Sequence, residues 1–313
     1  MFGAIDIGNS KTDFVVLDEC GNIHHWLRAG EITPTALTPE GTARALAALL
    51  PGGLQLDATW VGAAGADFPD QEDALSAALR GRDCFGHVTV KNDIHALLAC
   101  VRDHTAGIAV IAGAGMNAAG VHEGSEVRFA ALGHVSGDRG GGGYIGRKAL
   151  MAACRDADRR GPRTCLHPAL LDHYQRSSMD EISRGLSEGY IDRSTLLDLT
   201  RIVFDLARQD DAVCIDIVRS QAMEVASFIR ATALRMGCDP SEHPIALGGS
   251  ILRYGRDLLE PMIRDALQPS VLDLQFPDYR PVVGAAAEVL RLAGKEPSLE
   301  NLATQIQALE KAA

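Results

Sequence analysis

Apolar and polar positions follow two different periods along the chain, and the switches between them mark its elements. The first thirty residues hold three short apolar runs, FGAIDI, DFVVLD and IHHWLRA. The loop GNSK with Thr12 and the turn Glu19-Cys20-Gly21-Asn22 separate them, so they read as three strands. TPEGTARALAALL changes to helical spacing, with Thr38 as the cap and Pro39 at the first helical position. ATWVGAA predicts a buried strand, PDQEDALSAALR a helix, HVTVKND a strand and IHALLACVRD a helix. The order βββ-α-β-α-β-α then restarts. GIAVIAGAG predicts a buried strand running into a glycine turn, NAAGVHE a second strand, Gly124-Ser125 a hairpin turn and EVRFAAL a third strand. A mostly helical stretch covers about 144–236. HPIALGGS predicts a strand, ILRYGRDLLEPMIRDAL a helix interrupted at Pro261, VLDLQFP a strand, VVGAAAEVLRLAG a helix and 297–313 a last amphipathic helix.

Strands alternating with helices predict mixed sheets covered by helices. Two units of one element order predict an α/β fold of two lobes with a cleft between them. The expected division is 1–106 for the first lobe and 107–296 for the second, with a helical expansion at about 150–236. The helix at 297–313 is expected to pack back on the first lobe.

Composition narrows the function classes. Of 313 residues, 46% are hydrophobic and 23% charged, which excludes a disordered chain. The formal net charge of -11 repels a polyphosphate backbone and argues against nucleic acid as a partner. A local anion site built from backbone N–H groups stays open. The chain has no apolar run long enough for a membrane span, and MFGAIDIGNSKTD lacks the basic start and apolar core of a secretory signal. The seven cysteines match no zinc, iron–sulfur or redox spacing and read as reduced thiols. A cytoplasmic protein without membrane contact is expected.

Glycine carries the strongest local signal. Of the 32 glycines, 12 fall between Gly107 and Gly146, where they interrupt strong strand patterns. Asp6-Ile7-Gly8-Asn9-Ser10-Lys11-Thr12-Asp13 places a carboxylate at the end of a buried strand, before a tight turn rich in N–H and hydroxyl donors. That arrangement suits a metal-bound phosphate, and equally an ordinary hairpin turn. It is not a P-loop, because a strand and not a helix follows. In Lys91-Asn92-Asp93 the aspartate can cap the next helix or serve as a general base for a substrate hydroxyl. Gly113-Ala114-Gly115-Met116-Asn117 occupies the equivalent turn of the second unit. Asp138, set among glycines after Gly133 and His134, can hold sugar-type hydroxyls or close a turn. Leu247-Gly248-Gly249-Ser250 is a strand-to-helix junction where bare backbone can lie against a base or ribose.

In this order the pieces IDIGNSKTD, VKND, GAGMN, GHVSGDRGGGGYIGRKAL, ALGGS and PVVGAAAEVL resemble the actin-like ATPase superfamily of sugar kinases, acetate kinase, heat-shock chaperones and actin. More narrowly they are similar to the N-acetylglucosamine kinase and BadF/BadG/BcrA/BcrD ATPase family. The resemblance implies two actin-like, ribonuclease H-like lobes, each with a mixed five-stranded sheet. It implies phosphoryl transfer from ATP with Mg²⁺ to a hydroxyl of an amino sugar of the glucosamine or N-acetylglucosamine type, or a related carbohydrate. The alternative is an ATP-hydrolysing switch or activator without a sugar acceptor. By motif match Asp93 becomes the base and Asp6 the Mg²⁺-side carboxylate. Gly8, Asn9, Lys11, Thr12, Gly113 and Gly115 become phosphate contacts. Gly248, Gly249 and Ser250 fall at the nucleotide, and Asn117, His134 and Asp138 at the sugar. A homodimer is expected, since dimers are common in the family. The chain departs from the family pattern at Ala114, where a hydroxyl is usual, and at Arg139, where an acid is usual. Arg139 would favour an anionic substrate such as a sugar acid.

Overall fold

The computed structural model describes residues 1–8, 11–101, 106–269 and 271–312. The chain divides into two units, Met1–Ala109 with Val121–Gly124 and Pro277–Ala313, and Val110–Gly120 with Ser125–Phe276.

In the first unit, β1 (Phe2–Ile7), β2 (Thr12–Leu17) and β3 (Ile23–Ala29) are antiparallel neighbours. After β3 the chain forms α1 (Pro34–Leu37) and α2 (Pro39–Leu49), and Thr38 caps α2 by accepting from the Gly41 N–H, as its position predicts. Crossovers through these helices and α3 (Pro69–Arg80) allow β4 (Ala58–Ala63) and β5 (His87–Asn92) to pair parallel. The sheet order is β3-β2-β1-β4-β5. Central β1 is covered on both faces, which is why it reads as a nearly continuous apolar run. On one face Ile5, Ile7, Phe14 and Val61 pack with Leu46 of α2 and Leu75 and Leu79 of α3. On the other, Ala4, Val15 and Trp60 meet α12 (Pro281–Leu292) and Leu302 and Ile306 of α13 (Leu299–Ala312). The expected second lobe ran to 296, whereas Pro277 onward groups with the first unit. The reason is the small-residue face of α12. A side chain at Gly284 would run into the Ala96 carbonyl of α4 (Ile94–Leu98), and Ala285, Ala286 and Ala287 are wholly buried.

The second sheet, most of it in the second unit, holds β6 (Gly107–Ala112), β7 (Met116–His122), β8 (Ser125–Arg128), β9 (Ile245–Gly248) and β10 (Leu274–Gln275). Its order, β10-β9-β6-β7-β8, repeats the neighbour order of the first sheet, as the repeated element order predicts. Between β8 and β9 lie α5 (Gly142–Ala157), α6 (Leu166–Tyr174), α7 (Met179–Glu188), α8 (Leu199–Ala207) and α9 (Ala212–Met236). The strand expected over EVRFAAL ends at Arg128, because Phe129 turns to pack edge-on against Phe228 of α9 at 5.0 Å. The strand expected over VLDLQFP is reduced to β10. The helix after β9 breaks at Gly255, not at Pro261, into α10 (Ser250–Tyr254) and α11 (Arg256–Ala266). A side chain at Gly255 would strike the Phe204 ring, whereas Pro261 sits within α11. The helix expected over IHALLACVRD ends at Leu98 and gives way to a turn over 99–101, while Arg102 and Asp103 lie outside the described residues.

Candidate active site

Parallel pairing of β1, β4 and β5 brings two carboxylates to one end of the first sheet. Asp6 pairs with Gly62 of β4, and Gly62 with Lys91 of β5, two residues before Asp93. Gly62 is the spacer: a Cβ there would lie 3.1 Å from the Trp60 ring and 3.5 Å from the Asp93 Cα. Asp6 is 8% exposed, and burial, then the charges of Asp93 and Asp13, push its carboxyl up to about 8. Asp93 is pushed up to about 6 by burial and then by Asp67. Its side chain makes no capping hydrogen bond, so the cap reading of the sequence does not hold. Asn92 serves the helix start, its Oδ1 accepting the Ile94 N–H at 3.3 Å. The Asn92 Nδ2 donates to the Ala66 carbonyl and Asp67 Oδ1, and the Asn92 N–H donates to buried Glu72 at 2.8 Å. This mesh fixes the β5–α4 junction and so the direction of Asp93. Sequence reasoning missed Gly62, Asp67 and Glu72. A glycine inside a buried strand was the available signal for the first.

The β1–β2 turn closes with the Gly8 N–H donating to the Lys11 carbonyl at 2.9 Å. Asn9 and Ser10, both in the predicted phosphate loop, lie outside the described residues. Lys11 is exposed, and its charge pulls the Asp6 carboxyl down against the other influences. Thr12 is wholly buried, yet its Oγ1 has no hydrogen-bond partner among the described residues. A buried hydroxyl left unpaired costs roughly 1–3 kcal/mol, so this one stands ready to bond an acceptor or donor beyond the described residues. Asp13, opposite Asp6 in the ladder, is neutralised by Arg28 at 2.7 and 3.1 Å.

In the second unit, the Gly142 N–H donates to the Gly113 carbonyl at 2.7 Å and the Gly143 N–H to the Ala114 carbonyl at 2.9 Å. A trans peptide points its C=O and N–H in opposite directions. Tying these two carbonyls into the start of α5 therefore turns the Ala114 and Gly115 N–H groups away from it. No acceptor for either is found among the described residues. A Cβ on Gly113 or Gly115 would meet nothing within 4 Å, so packing does not require glycine at either position. The loop thus forms a cradle of two donors with no acceptor among the described residues and open space at both glycine α-carbons, a set that suits phosphate oxygens. Gly249 is different. Its φ is +94°, and a Cβ would overlap the Ala112 carbonyl, so the fold itself demands glycine there. Gly248 ends β9, and Ser250 opens α10, exposed.

The predicted sugar-side residues have local partners. Asn117 is buried at the start of β7, its Oδ1 accepting the Ala118 N–H. Asp138 Oδ2 accepts from the Gly133 N–H at 2.9 Å and Ser136 Oγ at 2.7 Å, which is the turn-closing role. His134 and Arg139 are exposed, and the Arg139 N–H donates to Glu224 of α9. Among the described residues no three His, Cys, Asp or Glu side chains form a metal set. The first-unit carboxylates fit a hard cation that keeps most of its ligands as water and phosphate oxygens.

The model of the BadF/BadG/BcrA/BcrD ATPase family matches residues 4–289 of the chain. The N-acetylmuramic acid/N-acetylglucosamine kinase of Clostridium acetobutylicum is 26% identical over 257 residues, 79% of this chain and 84% of that protein. A candidate N-acetylglucosamine kinase from Chromobacterium violaceum superposes with a TM-score of 0.72 at 20% identity, over 92% of this chain and 98% of that one. A ROK-family glucokinase from Streptomyces griseus, in complex with glucose and AMPPNP, gives 0.59 at 20% identity, over 93% and 99%. The likeness to both structures is one of fold, the actin-like arrangement that the motif order implied.

Proposed function

The chain belongs to the BadF/BadG/BcrA/BcrD ATPase family, and on that premise we propose that it is an ATP-dependent carbohydrate kinase acting on a hydroxyl of an amino sugar of the N-acetylglucosamine type. The observation that carries the reading is the pair Asp6 and Asp93, a buried and a half-buried carboxylate at one end of the first sheet, both held above their ordinary range by burial and by neighbouring carboxylates. Such a pair has two uses in phosphoryl transfer, a cation-side ligand and a proton acceptor. Asp6, nearer full burial and flanked by Asp13 as well, suits the cation side. Asp93, partly accessible and free of capping duty, suits the sugar hydroxyl.

Within the first unit Thr12 Oγ1, and within the second the Ala114 and Gly115 N–H groups, are each suited to a phosphate oxygen. Mg²⁺, when bound, would neutralise phosphate charge. The similarity to the Clostridium acetobutylicum kinase supports an N-acetylated amino sugar as acceptor. The seven free thiols support a reducing compartment, consistent with a cytoplasmic enzyme.

The test is ADP release from Mg·ATP across glucosamine, N-acetylglucosamine, N-acetylmuramic acid, glucose and gluconate. Strong stimulation by an N-acetylated sugar is expected. ATP turnover that no sugar stimulates would replace the kinase with an ATP-hydrolysing switch. Preference for gluconate would move the substrate to sugar acids, in line with Arg139.

A further inference from the structure

We infer that Gln221, on α9 and outside every motif of the sequence, is the positioning residue of the Gly113–Gly115 loop. The inference rests on the reading of that loop as a phosphate cradle. Gln221 is wholly buried. A primary amide in a protein interior is costly unless both its ends are bonded. Its Oε1 accepts the Gly141 N–H at 2.9 Å, and its Nε2 donates to the Met116 Sδ at 3.4 Å. These two partners sit on the two segments that build the cradle. Met116 directly follows the loop, and Gly141 directly precedes the α5 amides that take up the loop carbonyls.

One side chain thus spans the loop and the turn beneath it. The space left by the missing side chain of Gly140 is filled by Met116 Sδ, with the Gln221 amide 3.2 Å from where a Cβ would be. One turn along α9, Glu224 accepts the Arg139 N–H at 3.0 Å, so α9 holds the same turn at two points. The chain of cause runs from α9 to the Gly141 turn, then to the Gly113 and Ala114 carbonyls, and so to the direction of the Ala114 and Gly115 N–H groups. An apolar residue of equal length would fill the volume of Gln221 and leave the Gly141 N–H unpaired. The loop would then sample several orientations, and its two donors would be ordered only when an anion binds.

Gln221→Met tests this, read by hydrogen exchange of the free protein and by ATP affinity from calorimetry. Exchange is expected to speed up in 110–118 and 139–145, with ATP affinity about tenfold weaker, the scale of one net hydrogen bond. Gln221→Glu keeps the acceptor for Gly141 and is expected to recover part of both losses. It also serves as the test variant should the Met variant fail to fold. Sugar affinity is expected to be unaltered. A folded variant with wild-type ATP affinity would overturn the inference. So would faster exchange spread evenly through α9, which marks a merely structural role. Wild-type protein that binds no ATP would bring down the functional reading and this inference together. Intact wild-type binding with an unchanged variant brings down this inference alone.

Discussion

At the scale of single residues the chemistry turns on environment. Asp6 and Asp93 are ordinary aspartates in the sequence. Burial and neighbouring carboxylates, Asp93 and Asp13 beside Asp6 and Asp67 beside Asp93, hold their protons more tightly than the unfolded chain does, up to about 8 and about 6. A base must be ionised to act, so kcat/KM for the sugar is expected to climb as pH rises through about 6 and then level off. Asp93→Asn is expected to lower kcat by about 10²–10⁴ with ATP affinity retained. Rate profiles and calorimetry on the variant check both, and an unaltered acid limb would remove Asp93 from the role of base. The sign for stability is the reverse. Both raised carboxyls favour the fold below their ordinary range near 3.8, and that contribution is lost as pH climbs through about 6 and then 8. Asp93 was legible as a carboxylate between strand and helix. That Asn92 would hold the helix start was not, since it depends on Ala66, Asp67 and Glu72 closing around the amide.

Elements show how one residue type serves two purposes. The strand-to-turn glycines at 113, 115 and 249 look alike in the sequence. Gly113 and Gly115 face open space, whereas Gly249 is locked by a positive φ and the Ala112 carbonyl. Gly115→Val is therefore expected to melt within a few degrees of wild type and to lose at least tenfold in ATP affinity, a Cβ now filling the cradle. Gly249→Val is expected to melt far lower, because both strain and overlap act on the folded state. Thermal melts beside calorimetry separate the two, and a Gly115 variant that binds ATP normally would remove that loop from the phosphate site. Element type was readable from periodicity at nearly every strand and helix. Element ends were less so. Phe129 leaves its strand for Phe228, and the break at Gly255 follows from the Phe204 ring, contacts between residues far apart in the chain.

For the whole molecule, the first unit is completed by the last part of the chain. Leu302 and Ile306 of α13 are buried against the β1 and β2 face beside α12, and Glu310 pairs with Arg28 and Arg280. Deleting 297–313 is expected to cost on the order of 5 kcal/mol from two large apolar side chains and their neighbours. It should appear as a large drop in Tm or as insoluble protein, and a truncated chain melting like wild type would show that α13 is dispensable. The sequence by itself determined the period of each segment, the repeat of element order and the positions of glycine and carboxylate, because these depend on near neighbours and side-chain type. Only the tertiary structure decided that 277–296 joins the first unit and that Gln221 spans two glycine segments. Each of these depends on which distant surfaces meet, and no local pattern along the chain encodes that choice.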